Sequence, residues 1–417
     1  MSRRSITRFG FKALDFRLRD VLPFFEKGYS ISTAQSKIGL VLTGGGARGA
    51  YQAGAIRALA EISGSRTSPF SIIAGTSAGA INGTYLASYA DDFQQAARRL
   101  WDLWDRLKSS RVFRTGTLPI AENGLRWAAN LTMGGLLQLF PVSYLLDTAP
   151  LRELIREHVL PEAIERNIKT GVLHGVAVSA TNYSTGTAVV FFDGDNQIQT
   201  WARTSRIGVR TNLGVEHVMA SSAMPIFFPP ILVGDNYFGD GCVRLDAPLS
   251  PAIHMGSDRV LAIGIRYFRS NEHTLALNSA AAPQHPTLAD ISGTLLNAVF
   301  MDSLETDIER MQRINHTLEL IPKHQLEANG YPLRPIPVMA LRPSKDLGTL
   351  AGELFDTFPF MVRHALRGMG ASSKTGWDLV SYLAFEREYT SQLLELGYQD
   401  TMARKSELAE FIAARSE

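Results

Sequence analysis

The chain is short of cysteine, of net charge and of long apolar runs, and each shortage excludes something. A single cysteine, Cys242, in 417 residues leaves no intramolecular disulfide and no multi-cysteine metal site, and it suits a reducing compartment. Lys and Arg total 42 against 40 Asp and Glu, a net charge of +2, too balanced to mark a nucleic-acid binder. The nearest thing to a membrane span is the uncharged stretch from Trp127 to Leu146. Asn130, Gly134, Gly135, Gln138 and Pro141 within it argue against insertion. Its Gly134–Leu146 part reads instead as a cap over an apolar pocket or as core helix. The first 20 residues hold six Lys or Arg and two Asp. Lys12, Asp15 and Arg17 interrupt the apolar stretch that a secretory signal requires. This segment reads as a solvated basic extension able to touch an anionic membrane weakly. The expected location is cytoplasmic, with peripheral membrane contact. What is present in quantity is core material: 45% hydrophobic and 20% charged residues describe an ordinary globular chain with a large interior.

From Ile38 a regular alternation begins. The apolar run Ile38–Leu42 ends in Gly44-Gly45-Gly46 and reads as a buried strand entering a turn. An alanine-rich helix over 47–62 follows, then a strand from Phe70 to Ala74, then a helix to about Tyr89. Strand–helix–strand–helix predicts a parallel sheet covered by helices, an α/β fold. Further strands are expected at Val172–Ser179, Ala188–Phe192, Tyr237–Phe238 and Val260–Ile265, with 91–160 mostly helical. The chain divides into a basic extension (1–37), an α/β domain (38–270), a linker or loop (271–286) and a mostly helical region packed on that domain (287–417). In the last, a proline-rich stretch, 332–343, separates helical blocks at 287–319 and 375–415. Leu296, Val299, Phe300, Leu304, Ile308 and Met311 share one helical face there, which reads as core packing or a partner surface.

Gly44, Gly46 and Gly49 satisfy a dinucleotide-type glycine pattern between strand and helix. The acidic residue expected at the end of the next strand is missing, because that strand runs into Gly75-Thr76-Ser77. No Gly-Lys-Ser/Thr follows to make a phosphate loop of the Walker type. The other use of such a loop is to aim backbone N–H groups at a developing oxyanion, with an ordinary tight strand-to-helix turn as the bland alternative. Gly75-Thr76-Ser77-Ala78-Gly79 is G-x-S-x-G on a strand-to-helix turn, the geometry that presents a nucleophilic serine. That serine needs a base. Of the nine histidines, none has a recognisable catalytic setting, His254 being the least implausible. Asp240, between Gly239 and Gly241 at a strand end, is the carboxylate candidate, although a structural turn aspartate would look the same.

Taken in order, Gly44-Gly45-Gly46-Ala47-Arg48-Gly49, Gly75-Thr76-Ser77-Ala78-Gly79, Ala220-Ser221-Ser222-Ala223-Met224-Pro225 through Phe228-Pro229-Pro230, and Asp240-Gly241 resemble the motifs of the patatin-like phospholipases. The match covers about 38–265, and Leu341–Ser344 and Ser381–Leu383 also look like segments of large bacterial members. The resemblance implies a three-layer α/β/α catalytic domain with a mainly parallel central sheet and, beyond it, a helical C-terminal extension. It implies lipid acyl hydrolysis of phospholipase A or lysophospholipase type by a Ser77–Asp240 dyad, with Gly44, Gly45 and Gly46 as oxyanion hole. Arg48, Gly49, Gly75, Gly79 and Gly241 support the motifs, Arg48 holding the loop, meeting an anionic head group, or serving as an ordinary surface or structural arginine. No metal or cofactor is implied. The expected partner is a phospholipid or other acyl-ester lipid, not nucleic acid, with an activating protein or a second copy of the chain as further candidates. An acyltransferase or thioesterase using the same acyl-serine, and a non-catalytic lipid-binding scaffold, are the competing readings. One departure is Cys242, where the family commonly has glycine or alanine; cysteine is small enough for the turn to survive.

Overall fold

The computed structural model describes residues 36–115, 144–268, 285–322 and 333–414, with isolated positions between. All but the last two residues of the basic extension, and most of the Gly134–Leu146 segment, lie outside the described residues; Leu145 and Leu146 donate to the carbonyls of Ile226 and Phe227.

Among the described residues ten strands form one sheet: β1 (Ile38–Leu42), β2 (Phe70–Thr76), β3 (Gly175–Asn182), β4 (Thr187–Gly194), β5 (Trp201–Arg203), β6 (Arg206–Arg210), β7 (Ile231–Val233), β8 (Asn236–Asp240), β9 (Arg259–Ile263) and β10 (Val338–Leu341). Their order is β10-β9-β1-β2-β3-β4-β6-β5, and the β7–β8 hairpin joins at β3. From β10 to β3 all neighbours are parallel; β4 and β8 both run antiparallel to β3.

The central strands read as continuous apolar runs because both of their faces are covered. Alternate side chains enter two separate cores. Leu40, Leu42, Ile73, Leu261 and Ile263 face one; Val41, Ile72, Ala74, Val260 and Ala262 face the other. The first core is roofed by α1 (Gly49–Ser63), α2 (Ala78–Ser88), α3 (Phe93–Asp105) and the helix Arg387–Met402, through Ile56, Leu59, Leu86, Leu100 and Leu393. The second is closed by Ala252 and by Leu304, Ile308 and Met311 of the helix Asp302–Glu319. The result is three layers, α/β/α. Among the described residues no helix is long and apolar enough to cross a membrane.

Two expectations change. The proline-rich stretch contains β10, an edge strand that starts directly after Pro337; proline lacks the N–H of an interior ladder but is tolerated at a strand's start and at an edge. The apolar face running from Leu296 to Met311 is interrupted at Met301, which separates the helices Leu288–Phe300 and Asp302–Glu319. Phe300, Leu304, Ile308 and Met311 are buried, whereas Leu296 and Val299 are half-buried. The opposite side of the first helix leaves Leu288, Ile291 and Leu295 exposed.

Close glycine packing brings the ends of β1 and β2 together. A Cβ on Gly79 would lie 2.2 Å from the Leu42 carbonyl oxygen, and one on Gly75 would lie 2.2 Å from that of Gly79. Helix propensity alone favours alanine over glycine at position 79 by about 1 kcal/mol. Collision with fixed backbone outweighs that, so Gly79→Ala is expected to destabilise the protein by ~3 kcal/mol, read as a lowered midpoint in urea unfolding. A buried polar chain adds to the junction: Gln52 Nε2 donates to the Thr43 carbonyl, Asn82 Nδ2 to Gln52 Oε1, and Trp104 Nε1 to Asn82 Oδ1.

Candidate active site

The chain reverses direction across the sheet at β1: β2 and β3 lie to one side, β9 and β10 to the other. Ligands of open α/β sheets bind beyond the strand C-termini at such a switch point. The glycine loop follows β1 and Ser77 follows β2, so both stand at that edge.

Ser77 occupies the turn between β2 and α2 with φ 54° and ψ −125°. Positive φ is rare for a residue with a side chain and marks stored backbone strain. The Ser77 N–H donates to Ser221 Oγ at 2.9 Å, whose hydroxyl donates in turn to the Ser179 carbonyl on β3 at 2.6 Å. On the other side, Ser222 Oγ donates to the Ser77 carbonyl at 3.2 Å.

The same segment positions Asp240, whose N–H donates to the Ala223 carbonyl at 2.9 Å, while Thr181 Oγ1 donates to the Asp240 carbonyl at 2.8 Å. Register explains the proximity of serine and carboxylate. Thr76 pairs with Ser179 and Asp240 pairs with Ala180, adjacent positions on β3. Gly241 is needed at this junction, because a Cβ there would lie 2.2 Å from the Ser179 carbonyl oxygen. Ser221, Ser222 and Thr181 therefore hold the backbone of Ser77 and Asp240 in place. The Ala-Ser-Ser-Ala motif flagged the first two as part of a family pattern without indicating what they hold, and Thr181 carried no sequence signal. Ser221→Ala would strand a buried N–H and a buried carbonyl. It is expected to cost ~2–3 kcal/mol of stability and about tenfold in turnover through misplacement of Ser77, measured by denaturant unfolding and ester-hydrolysis kinetics.

Asp240 is fully buried. Burial pushes its carboxyl up to about 7, against the lowering effect of the Ser77 hydroxyl, the Cys242 N–H and the Cys242 thiol. Oδ1 accepts from the Cys242 N–H at 3.0 Å. Oδ2 is buried and makes no full hydrogen bond, although the Ser77 hydroxyl lies close enough to favour the charged form. Burial and the neighbouring carboxyl also raise the Cys242 thiol well above its ordinary range, so it is a poor nucleophile at neutral pH. The Gly44 N–H points at its sulfur, and the turn survives the departure from glycine or alanine as Gly241–Val243.

The glycine loop is tightly fixed. Gly46 has φ 56°, and a Cβ there would meet the Tyr382 carbonyl oxygen at 2.2 Å. A Cβ on Gly44 would reach Ser77 Cβ at 2.8 Å and Phe300 at 3.1 Å. Loop and serine are therefore in contact range, with Phe300 beside them. Arg48 is 2% exposed and fully engaged, donating to Ser381 Oγ at 2.8 Å, Met301 Sδ at 3.0 Å and Asp378 Oδ1 at 2.8 Å. Its contacts fit a structural, loop-holding role, since each guanidinium nitrogen already has a partner within the chain.

His254 is elsewhere, stacked on Trp201 with ring centroids 4.8 Å apart. Burial, with Arg203 and Arg206 nearby, pushes it down to about 4. Among the described residues no histidine hydrogen-bonds to Ser77 or Asp240.

Comparison with curated proteins finds no match. Among solved structures, the chain is similar to VipD from Legionella pneumophila at 15% identity and TM-score 0.34, covering 90% of this chain and 68% of that one. It is similar to the type III effector protein ExoU at 14% identity and TM-score 0.34, covering 92% of this chain and 55% of the other. Human GIVD cytosolic phospholipase A2 aligns at 11% identity and TM-score 0.37 over 90% of this chain and 59% of its own. The chain thus spans little more than half the length of the last two. At the sequence level the description "Patatin-like phospholipase" matches residues 40–253, just over half of the chain and the segment that holds the glycine loop, the serine turn and Asp240. On that match the chain belongs to the patatin-like phospholipase family.

Proposed function

We propose that the protein hydrolyses carboxylic esters of phospholipids or lysophospholipids through a Ser77–Asp240 dyad. The observation that carries this is the strained Ser77 turn set beside a buried carboxyl that titrates near 7 and has one oxygen without a full hydrogen bond. A carboxylate in the ordinary range is too weak a base for a serine hydroxyl; one raised to neutrality by burial is matched to the task. In this reading Asp240 takes the Ser77 proton as Oγ attacks the ester carbonyl. The N–H groups of the Gly44–Gly46 loop receive the oxyanion, aided by the positive end of the helix that begins there. Collapse of the tetrahedral intermediate breaks the ester bond, and the leaving alcohol takes the proton from Asp240. Water then donates a proton to Asp240 as it attacks the acyl-serine. A second collapse releases the fatty acid and returns that proton to Ser77. Each proton that Asp240 accepts it also returns, so the cycle needs no further cofactor.

The test is fatty acid release from mixed phospholipid and lysophospholipid vesicles, read by mass spectrometry, beside labelling by a fluorophosphonate and mapping of the labelled peptide. Release together with a label on Ser77 is the expected result. A label elsewhere overturns the nucleophile. A label on Ser77 without release redirects the site to another acyl ester or acyl acceptor, and neither label nor release leaves a lipid-binding scaffold.

A further inference from the structure

We propose that Asp378 and Ser381, on the helix Trp377–Leu383, are positioning residues of the active site, acting through Arg48 to orient the Gly45–Gly46 peptide toward the oxyanion. The inference rests on the dyad reading above, and it places part of the site's machinery outside the segment that carries the family motifs.

Arg48 is a buried cation. A guanidinium is always charged and offers five N–H donors in a fixed plane. Inside a protein such a group is held only where its donors are met. Each of the three guanidinium nitrogens of Arg48 has a partner: Nε donates to Ser381 Oγ and Nη2 to Asp378 Oδ1, at 2.8 Å each, and Nη1 to Met301 Sδ. Its plane is further placed by the Tyr382 ring, whose centroid lies 4.4 Å from the guanidinium carbon. All four partners lie beyond residue 300, outside the family-matched span of 40–253.

The backbone of the same residue carries the effect to the loop. The Arg48 N–H donates to the Gly45 carbonyl at 3.2 Å. That carbonyl shares a planar peptide with the Gly46 N–H, and in a trans peptide the two point in opposite directions. Among the described residues no peptide is cis. Fixing the Gly45 carbonyl on Arg48 therefore fixes the direction of the Gly46 N–H. Glycine at both positions leaves the peptide otherwise free to flip, because neither residue has a Cβ to resist it. The Tyr382 carbonyl packed against Gly46 limits the same motion from the other side. Asp378 and Ser381 touch no reacting atom; they set the peptide that does.

The experiment compares wild type with Asp378→Asn, Asp378→Glu and Ser381→Ala in the full chain. Each preparation is titrated with a fluorophosphonate to count competent serines, and kcat and KM per competent serine are then measured on a soluble p-nitrophenyl ester. The expected result for Asp378→Asn is a kcat per titrated site ~10–100-fold lower, with KM within about twofold and slower phosphonylation, the signature of lost oxyanion stabilisation. Ser381→Ala should fall in the same direction by a smaller factor. Asp378→Glu, which keeps a carboxylate, should recover most of the kcat. A purely structural role would lower the number of titratable sites and leave kcat per site at the wild-type value; that outcome overturns the proposal. If Asp378→Asn does not fold, Ser381→Ala decides on the same criterion. Absence of label on wild-type Ser77 would fail the dyad reading itself, a result distinct from unequal kcat among labelled variants.

Discussion

Ser77→Ala is expected to lower ester hydrolysis by at least ~10⁴-fold and to abolish fluorophosphonate labelling, while the protein remains folded. The size follows from removing a nucleophile for which neighbouring groups offer no substitute. The Cys242 thiol is beside the base, but burial and the nearby carboxyl hold it protonated. Folding should survive because the turn is held by backbone contacts, Ser77 N–H to Ser221 and Ser77 carbonyl to Ser222, and alanine keeps both. A secondary effect has a definite sign. The Ser77 hydroxyl lowers the Asp240 pKa, so its loss should move that carboxyl above about 7. Circular dichroism establishes the fold, and vesicle hydrolysis establishes the rate. Retention of more than a few per cent of wild-type turnover would remove Ser77 from the mechanism.

Asp240→Asn is expected to lower turnover by ~10³–10⁴-fold and to raise stability at alkaline pH. On the dyad reading, the active form of the wild type is the carboxylate. With Asp240 at about 7, kcat/KM should rise about tenfold per pH unit below neutrality and level off above it. For stability the sign runs the other way. The carboxyl in the folded protein titrates higher than in the unfolded chain, so the folded state binds more protons between roughly pH 4 and 7. Stability is therefore lost as pH rises through that window. Full ionisation of the buried group costs up to about 4 kcal/mol by pH 8. Asparagine keeps an oxygen to accept from the Cys242 N–H and carries no charge to bury. The variant should accordingly unfold at higher urea than wild type at pH 8, with the difference closing toward pH 4. Equal midpoints at both pH values would show that Asp240 is not held near neutrality, and the mechanism would lose its base. A gain in stability coupled to a loss of activity is the mark of a group strained for function.

Much of this site could be read from the residues, for a physical reason. A glycine triplet after an apolar strand, and a serine between glycines after the next one, are local solutions to local problems: tight turns, close backbone approach and exposure of a hydroxyl. Local constraints leave local signatures, so Gly44–Gly46, Gly75, Ser77, Gly79 and Gly241 stood out along with β1, α1, β2 and α2. What was not legible depends on distant segments. Thr181 bonds the Asp240 carbonyl only because β3 and β8 pair in one particular register. Asp378 has no motif of its own, and its partner is 330 residues away. The short strands β5 and β7, at three residues each, lack the length for an alternating pattern to emerge. β10 was hidden by the prolines that precede it, since proline signals a loop far more often than the start of an edge strand.

The separation of Arg48 from Asp378 also sets an order of events during synthesis. At 5–20 residues per second, the stretch of 330 residues between them takes ~15–70 s to translate. Over that interval β1, α1, β2 and α2 are already outside the ribosome, and their βαβ contacts are local enough to form early. The serine turn can thus take shape while the guanidinium below the glycine loop still has no counter-charge and remains hydrated. On the proposed positioning role, the loop takes its final orientation only when the helix Trp377–Leu383 arrives, so the serine turn would be the early part of the site and the glycine loop the late one.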